Sequence, residues 1–85
     1  MTFFVYVLES EKDGSYYVGS TNNFEDRIER HNQGRSQYTK TKRPWQLVYT
    51  EEYLNKSDAI KRENQIKRRK SKNYIDSLIA QYTAA

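Results

Sequence analysis

The chain has 85 residues, a formal net charge of +4, no cysteine and one histidine, which bounds it to one domain, residues 1–85, with a thin core. That composition excludes disulfides, zinc–thiolate clusters and thiol nucleophiles, and it argues against copper and metalloprotease-type sites. With 35% apolar, 31% charged and 14% aromatic residues, and regular apolar runs, a compact fold is expected rather than a disordered chain.

Residues 2 to 9 carry apolar, aromatic and β-branched side chains on both parities, as in a strand covered on both faces. Asp13-Gly14 marks a tight turn, and residues 15 to 20 (SYYVGS) form the return strand of a hairpin. A loop of two residues or of four puts Tyr6 and Tyr17 on the same face, whereas three would separate them. With four, Tyr17 stands opposite Leu8 and diagonal to Tyr6, within reach of aromatic side chains.

Asn22 or Asn23 can cap a helix running to about Gln33, with Gly34 in the left-handed closing position. On it Phe24, Arg27, Ile28 and His31 share one stripe, so an arginine and the histidine face inward or line its edge. Residues 35 to 44 (RSQYTKTKRP) hold four basic groups and no acid, an exposed loop. The segment WQLVYTEEY alternates as a third strand. Asn55 or Ser57 opens a second helix to about Lys70, on which Ala59, Ile60 and Ile66 define the apolar side. Ser71 caps a third helix with a core stripe of Tyr74, Ile75, Leu78, Ile79 and Tyr82. The expected fold is therefore α+β: a small three-stranded antiparallel sheet packed with three helices in the order ββαβαα.

Charge is unevenly spread. Residues 1 to 34 hold three basic and six acidic groups, whereas residues 35 to 85 hold twelve basic and five acidic, eight of the basic ones between Lys56 and Lys72. The second half should attract polyanions, and the candidate phosphate contacts are Arg35, Lys40, Lys42, Arg43, Lys61, Arg62 and Lys67. The longest apolar run, Phe3 to Leu8, is too short for a membrane span and follows no basic region, so a cytoplasmic protein without membrane contact is expected.

Glu63 falls within the apolar side of the second helix, where a carboxylate must be paired, bound to metal or placed at a cleft. An ion pair with Lys67, one turn on, is the plain alternative and is worth about 0.2 to 0.5 kcal/mol. Tyr6 and Tyr17 have a plain alternative as core aromatics with bonded hydroxyls, Arg27 as a snorkelling edge residue, and His31 as a helix C-terminal group.

Taken together, "VY", then "YVG" with its tyrosine eleven positions after Tyr6, then "RIERH" on one helix and "AIKRE" on a later one resemble the GIY-YIG nuclease superfamily. The resemblance spans nearly the whole chain, is closest to small stand-alone bacterial members similar to the N-terminal nuclease domain of UvrC, and extends to the loop QYTKTKRPWQLVY. It implies a catalytic set of Tyr6, Tyr17, Arg27, His31 and Glu63, with Gly19 as the motif glycine and Glu63 as the ligand of one Mg2+ or Mn2+ ion. Phe4 stands where the first glycine is usual and Val18 replaces isoleucine. The late asparagine of homing-type members has no assigned counterpart, Asn73 being a candidate that is not adopted.

The implied chemistry is DNA phosphodiester hydrolysis. One carboxylate suffices for magnesium, which keeps waters and takes phosphate oxygens. Arg27 would clamp the scissile phosphate, and Tyr6 would serve as general base, with Tyr17 and His31 in support. Structure-selective cleavage in DNA repair or processing, aided by a targeting protein, is the expectation. The runner-up is a catalytically inactive nucleic-acid-binding module of the same fold, and a third reading is an interaction protein whose basic helices dock an acidic partner.

Overall fold

β1 (Phe3–Ser10) is the central strand of the sheet, flanked by β2 (Tyr16–Thr21) on one side and β3 (Trp45–Tyr53) on the other, both antiparallel to it. The remaining elements are α1 (Phe24–Asn32), a short 3-10 turn (Lys40–Lys42), α2 (Lys56–Arg69) and α3 (Lys72–Ala84). The computed structural model describes residues 2–34, 40–69 and 71–84. The order is ββαβαα, as expected.

The hairpin uses the four-residue loop. The Ser10 amide donates to the Ser15 carbonyl (2.8 Å), Leu8 pairs with Tyr17 and Tyr6 with Gly19. Gly14 takes the left-handed conformation (φ +75°) that this turn requires. Ser10 is almost fully buried, and its Oγ donates to the Lys42 carbonyl at 2.5 Å while accepting from the Lys12 and Asp13 amides.

Alternation along β1 splits the core in two. Val5 and Val7 face α2 and α3, joining Val18, Tyr49, Ala59, Ile66 and Leu78. Tyr6 and Leu8 face the α1 side with Trp45, against which Tyr17, Ile28 and Leu47 pack. β1 is thus buried on both faces, which is why its sequence does not alternate. Burying Ile66, at 1% exposure, contributes about 2 to 3 kcal/mol to docking α2, far above any surface ion pair on that helix.

Strict alternation would put Trp45, Leu47 and Tyr49 on one face. A bulge on β3 intervenes: Leu8 pairs with Leu47 and Val7 with Tyr49, leaving Val48 extra. Tyr49, Glu51 and Tyr53 are thereby turned to the α2 and α3 side.

Side-chain oxygens cap the helices. Asn23 accepts from the Asp26 amide (3.2 Å), Asn55 from Asp58 (2.9 Å) and Ser71 from Tyr74 (3.2 Å), which settles the two alternatives left by the sequence. Gly34 closes α1 with φ +77°. Two stripe positions depart from expectation. Ile60 is 38% exposed, because Ala59 and Ile66 alone point at the sheet and Ile60 lies a further 100° round the helix. Tyr82 is half exposed, although its ring meets Tyr49 edge-on at 5.4 Å.

Candidate active site

Tyr6 is 2% exposed, and its ring crosses the sheet towards the free edge of β2. It can do so because its cross-strand neighbour is Gly19: a Cβ there would stand 2.5 Å from Tyr6 Oη and 2.7 Å from Cζ. The motif glycine therefore makes space for the ring. Among the described residues Oη has no hydrogen-bond partner, yet no buried polar side-chain atom is left unsatisfied, so this hydroxyl meets solvent. A core tyrosine would instead hold a bonded hydroxyl.

Three other members of the expected set lie within electrostatic reach of that phenol. Burial pushes its pKa above the ordinary value, Tyr17 and Glu63 push the same way, and Arg27 opposes them. Tyr17 stacks obliquely with Tyr6 at 6.4 Å between centroids and with His31 at 4.6 Å. His31 is 5% exposed, and burial followed by Arg27 lowers its pKa, which favours the neutral imidazole. Trp45 closes this aromatic group, 6.3 Å from Tyr17 and 6.5 Å from His31.

Glu63 approaches from the opposite face. Ser20, next to Gly19 and hence pointing the other way, donates its Oγ to Glu63 Oε1 at 2.5 Å, while Lys67 Nζ sits 2.6 Å from Oε2. The site wraps around the β2 edge: Tyr6 and Tyr17 come over the α1 face, Glu63 over the α2 face, and the Gly19-Ser20 pair lets both through. Arg27, on the first turns of α1, is exposed at a recess of about 170 Å³ shared with Ser20, Thr21 and Lys56. Phe4, paired with Thr21, is partly buried on the Tyr6 face.

The basic residues divide. Lys40, Arg43 and Lys61 are exposed, with Arg43 lying over Gly34. Lys42 is turned back on the hairpin, 3.5 Å from Asp13 and 3.3 Å from Ser15 Oγ. Arg62, expected among the phosphate contacts, has its guanidinium turned inward. It forks onto Glu51 (2.9 to 3.2 Å) and also donates to Tyr74 and Gln65, with its side chain only 18% exposed. The β3 bulge, which aims Glu51 at α2, is the cause. Lys67 adopts the pairing with Glu63 given above as the plain alternative. Arg35 and the side chain of Phe24 lie outside the described residues; Asn73 is exposed.

Sequence reasoning missed Ser20 and Asn32. Ser20 shares the parity of Tyr16 and Val18, a signal that it faces the second helix. Asn32 clamps the Trp45 backbone from both sides, donating to its carbonyl (3.1 Å) and accepting from its amide (2.5 Å), so the end of α1 is locked to the start of β3. No local pattern announces that pair.

Residues 2–76 match the family model described as the GIY-YIG catalytic domain. UPF0213 proteins of Staphylococcus aureus strains Mu50, N315 and MW2 are each 48% identical over 65 residues, covering 75% of this chain and 78% of theirs. The solution NMR structure of UPF0213 protein BH0048 from Bacillus halodurans superposes with a TM-score of 0.60 at 33% identity, covering 95% of this chain and 85% of that one.

Proposed function

The chain belongs to the GIY-YIG family, and from that premise we propose that it is a metal-dependent endonuclease hydrolysing DNA phosphodiester bonds. The observation that carries this reading is the hydroxyl of a Tyr6 ring laid over Gly19, without a hydrogen-bond partner among the described residues and within electrostatic reach of both Arg27 and Glu63.

Glu63 suits a divalent cation, since its Oε2 already holds a positive charge, the ammonium of the half-exposed Lys67 side chain. Among the described residues no three His, Asp or Glu gather, so the fit is to Mg2+ or Mn2+, which keep their waters, rather than to a multi-ligand ion. When bound, such an ion supplies Lewis-acid stabilisation of phosphate oxygens and acidifies neighbouring groups.

Arg27 binds the non-bridging oxygens of the scissile phosphate through its planar fork and offsets charge that builds in the transition state. Tyr6 takes the proton of the attacking water at Oη. Its raised pKa makes the phenolate a strong but scarce base, so the positive charge of Arg27, which opposes that rise, sets how much is present. Ser20 fixes one oxygen of Glu63. Neutral His31 holds the Tyr17 ring, and Tyr17 orients water or phosphate. The exposed cations Lys40, Arg43 and Lys61 attract the DNA backbone. Structure-selective cleavage in DNA repair or processing, with help from a targeting protein, belongs to the same proposal.

The test is cleavage of single-stranded, duplex, flapped and branched DNA with Mg2+ or Mn2+. Cutting that disappears in Glu63→Gln supports the proposal. Binding without cutting under every condition would replace it with the non-catalytic module.

A further inference from the structure

A groove of about 670 Å³ runs along the free edge of β2, between that strand and residues of α2 and α3. Its floor is apolar, built from Val18, Ile66 and Ile75, with the Tyr16 ring on one wall. Val18 and Ile66 are almost fully buried, so the floor is a fixed part of the core surface. Among the described residues the charged members of its lining are the lysines Lys67 and Lys72. Tyr16 is held in place by its hydroxyl, which donates to Asp76 at 2.5 Å, and Lys72 Nζ lies 5.4 Å from the ring centroid.

Lys67 joins this groove to the candidate active site, because the same ammonium contacts Glu63. A strand whose phosphate lies at Glu63 would therefore run directly into the groove. An apolar floor with an aromatic wall receives base faces, and lysines at its margins receive phosphates. The volume is within the range that encloses a drug-sized ligand, matching one or two nucleotides. Base faces are available for such burial only when the bases are unpaired and unstacked.

We propose that this groove binds one or two unpaired nucleotides of the substrate strand next to the cleaved phosphate, with bases against the Tyr16 ring and Ile75 above the buried Val18 and Ile66, and phosphates on Lys67 and Lys72. The inference rests on the nuclease reading and adds its substrate class: single-stranded or frayed nucleic acid at this flank of the cut.

The experiment titrates the whole chain, without metal, with tetrathymidylate and separately with a short blunt DNA hairpin. Amide chemical shifts and affinities are followed for the parent, Lys72→Glu and Ile75→Ala. The expected result is tetrathymidylate shifts centred on Tyr16, Val18 and Ile75. Affinity for it should fall at least about 5-fold in each variant, the lower end for a lost base contact, while hairpin affinity stays within about 2-fold. Melting curves identify a variant that has unfolded, in which case the parental shift map decides. Shifts confined to other surfaces, or equal losses for both ligands, overturn the groove. If flapped DNA is cut by the parent and equally well by both variants, the groove falls and the nuclease reading stands. If tetrathymidylate fills the groove but no substrate is ever cut, the groove stands as a binding site and the nuclease reading falls.

Discussion

Tyr6 and Gly19 are cross-strand partners in which one residue's ring occupies the space where the other's side chain would be. Gly19→Ala should therefore displace the phenol from its position over β2. The expected cost is about 1 to 3 kcal/mol of stability, as for overpacking elsewhere, with loss of cleavage. Tyr6→Phe separates the two effects. Its hydroxyl has no protein partner among the described residues, so thermal melting should stay near the parent while cleavage falls at least about 100-fold. A Tyr6→Phe variant that cuts at the parental rate would remove Tyr6 from the role of base.

Ser20 and Lys67 hold the two oxygens of Glu63, and their removal should act in opposite directions on metal affinity. Ser20→Ala releases Oε1 and should weaken Mn2+ binding, read by calorimetry, whereas Lys67→Met frees Oε2 and should strengthen it. Glu63→Gln should abolish binding and cleavage together. Mn2+ affinity that is unchanged in Glu63→Gln would place the ion elsewhere.

Arg62 is expected to behave as a structural residue. Breaking its pair with Glu51 by Arg62→Met should destabilise the fold by on the order of 3 kcal/mol, since the partner carboxylate is left largely buried. DNA affinity corrected for the folded fraction should hardly change. A normal melting temperature with a steep loss of DNA binding would return Arg62 to the nucleic-acid surface.

Stability should fall on the acid side through two groups. Burial works to raise the Glu51 pKa, but hydrogen bonds from Arg62, Tyr49 and Tyr53 outweigh it and hold the carboxyl below its usual range. Its contribution is full above the unfolded glutamate value of about 4.3 and is lost as pH falls through the lower folded value. His31, lowered by burial and by Arg27, contributes fully above about pH 6.5 and loses that contribution as pH falls through its depressed folded value. Melting temperature measured from pH 7 to pH 3 should decline first through His31 and then through Glu51, and Glu51→Gln should shallow the lower part. An identical acid limb in that variant would contradict the assignment.

The exposed cations Lys40, Arg43 and Lys61 should each account for a slope of about −0.9 in log affinity against log salt if each neutralises one duplex phosphate. Reversing Lys40 and Arg43 to glutamate should flatten the slope. A slope equal to the parent's would show that this loop lies away from DNA.

By itself the sequence determined the elements and their order. Caps and turn glycines are local: Asn23, Asn55, Ser71, Gly14 and Gly34 act within a few residues of their own position, so their types are informative without a fold. The two-residue period of a strand tied the shared face of Tyr6 and Tyr17 to the loop length, and the four-residue loop of the structure fixed it. The tertiary structure decided which charges turn inward and which stay exposed. The bulge at Val48 turned Glu51 towards α2, and only that long-range event committed Arg62 to an internal ion pair. Ser20 and Glu63 meet across 43 positions, and Asn32 clamps Trp45 across 13, contacts with no local pattern to announce them. Helical periodicity grouped Ile60 with the buried residues, but the sheet covers only the stripe of Ala59 and Ile66, and how wide a stripe is covered depends on what packs against it.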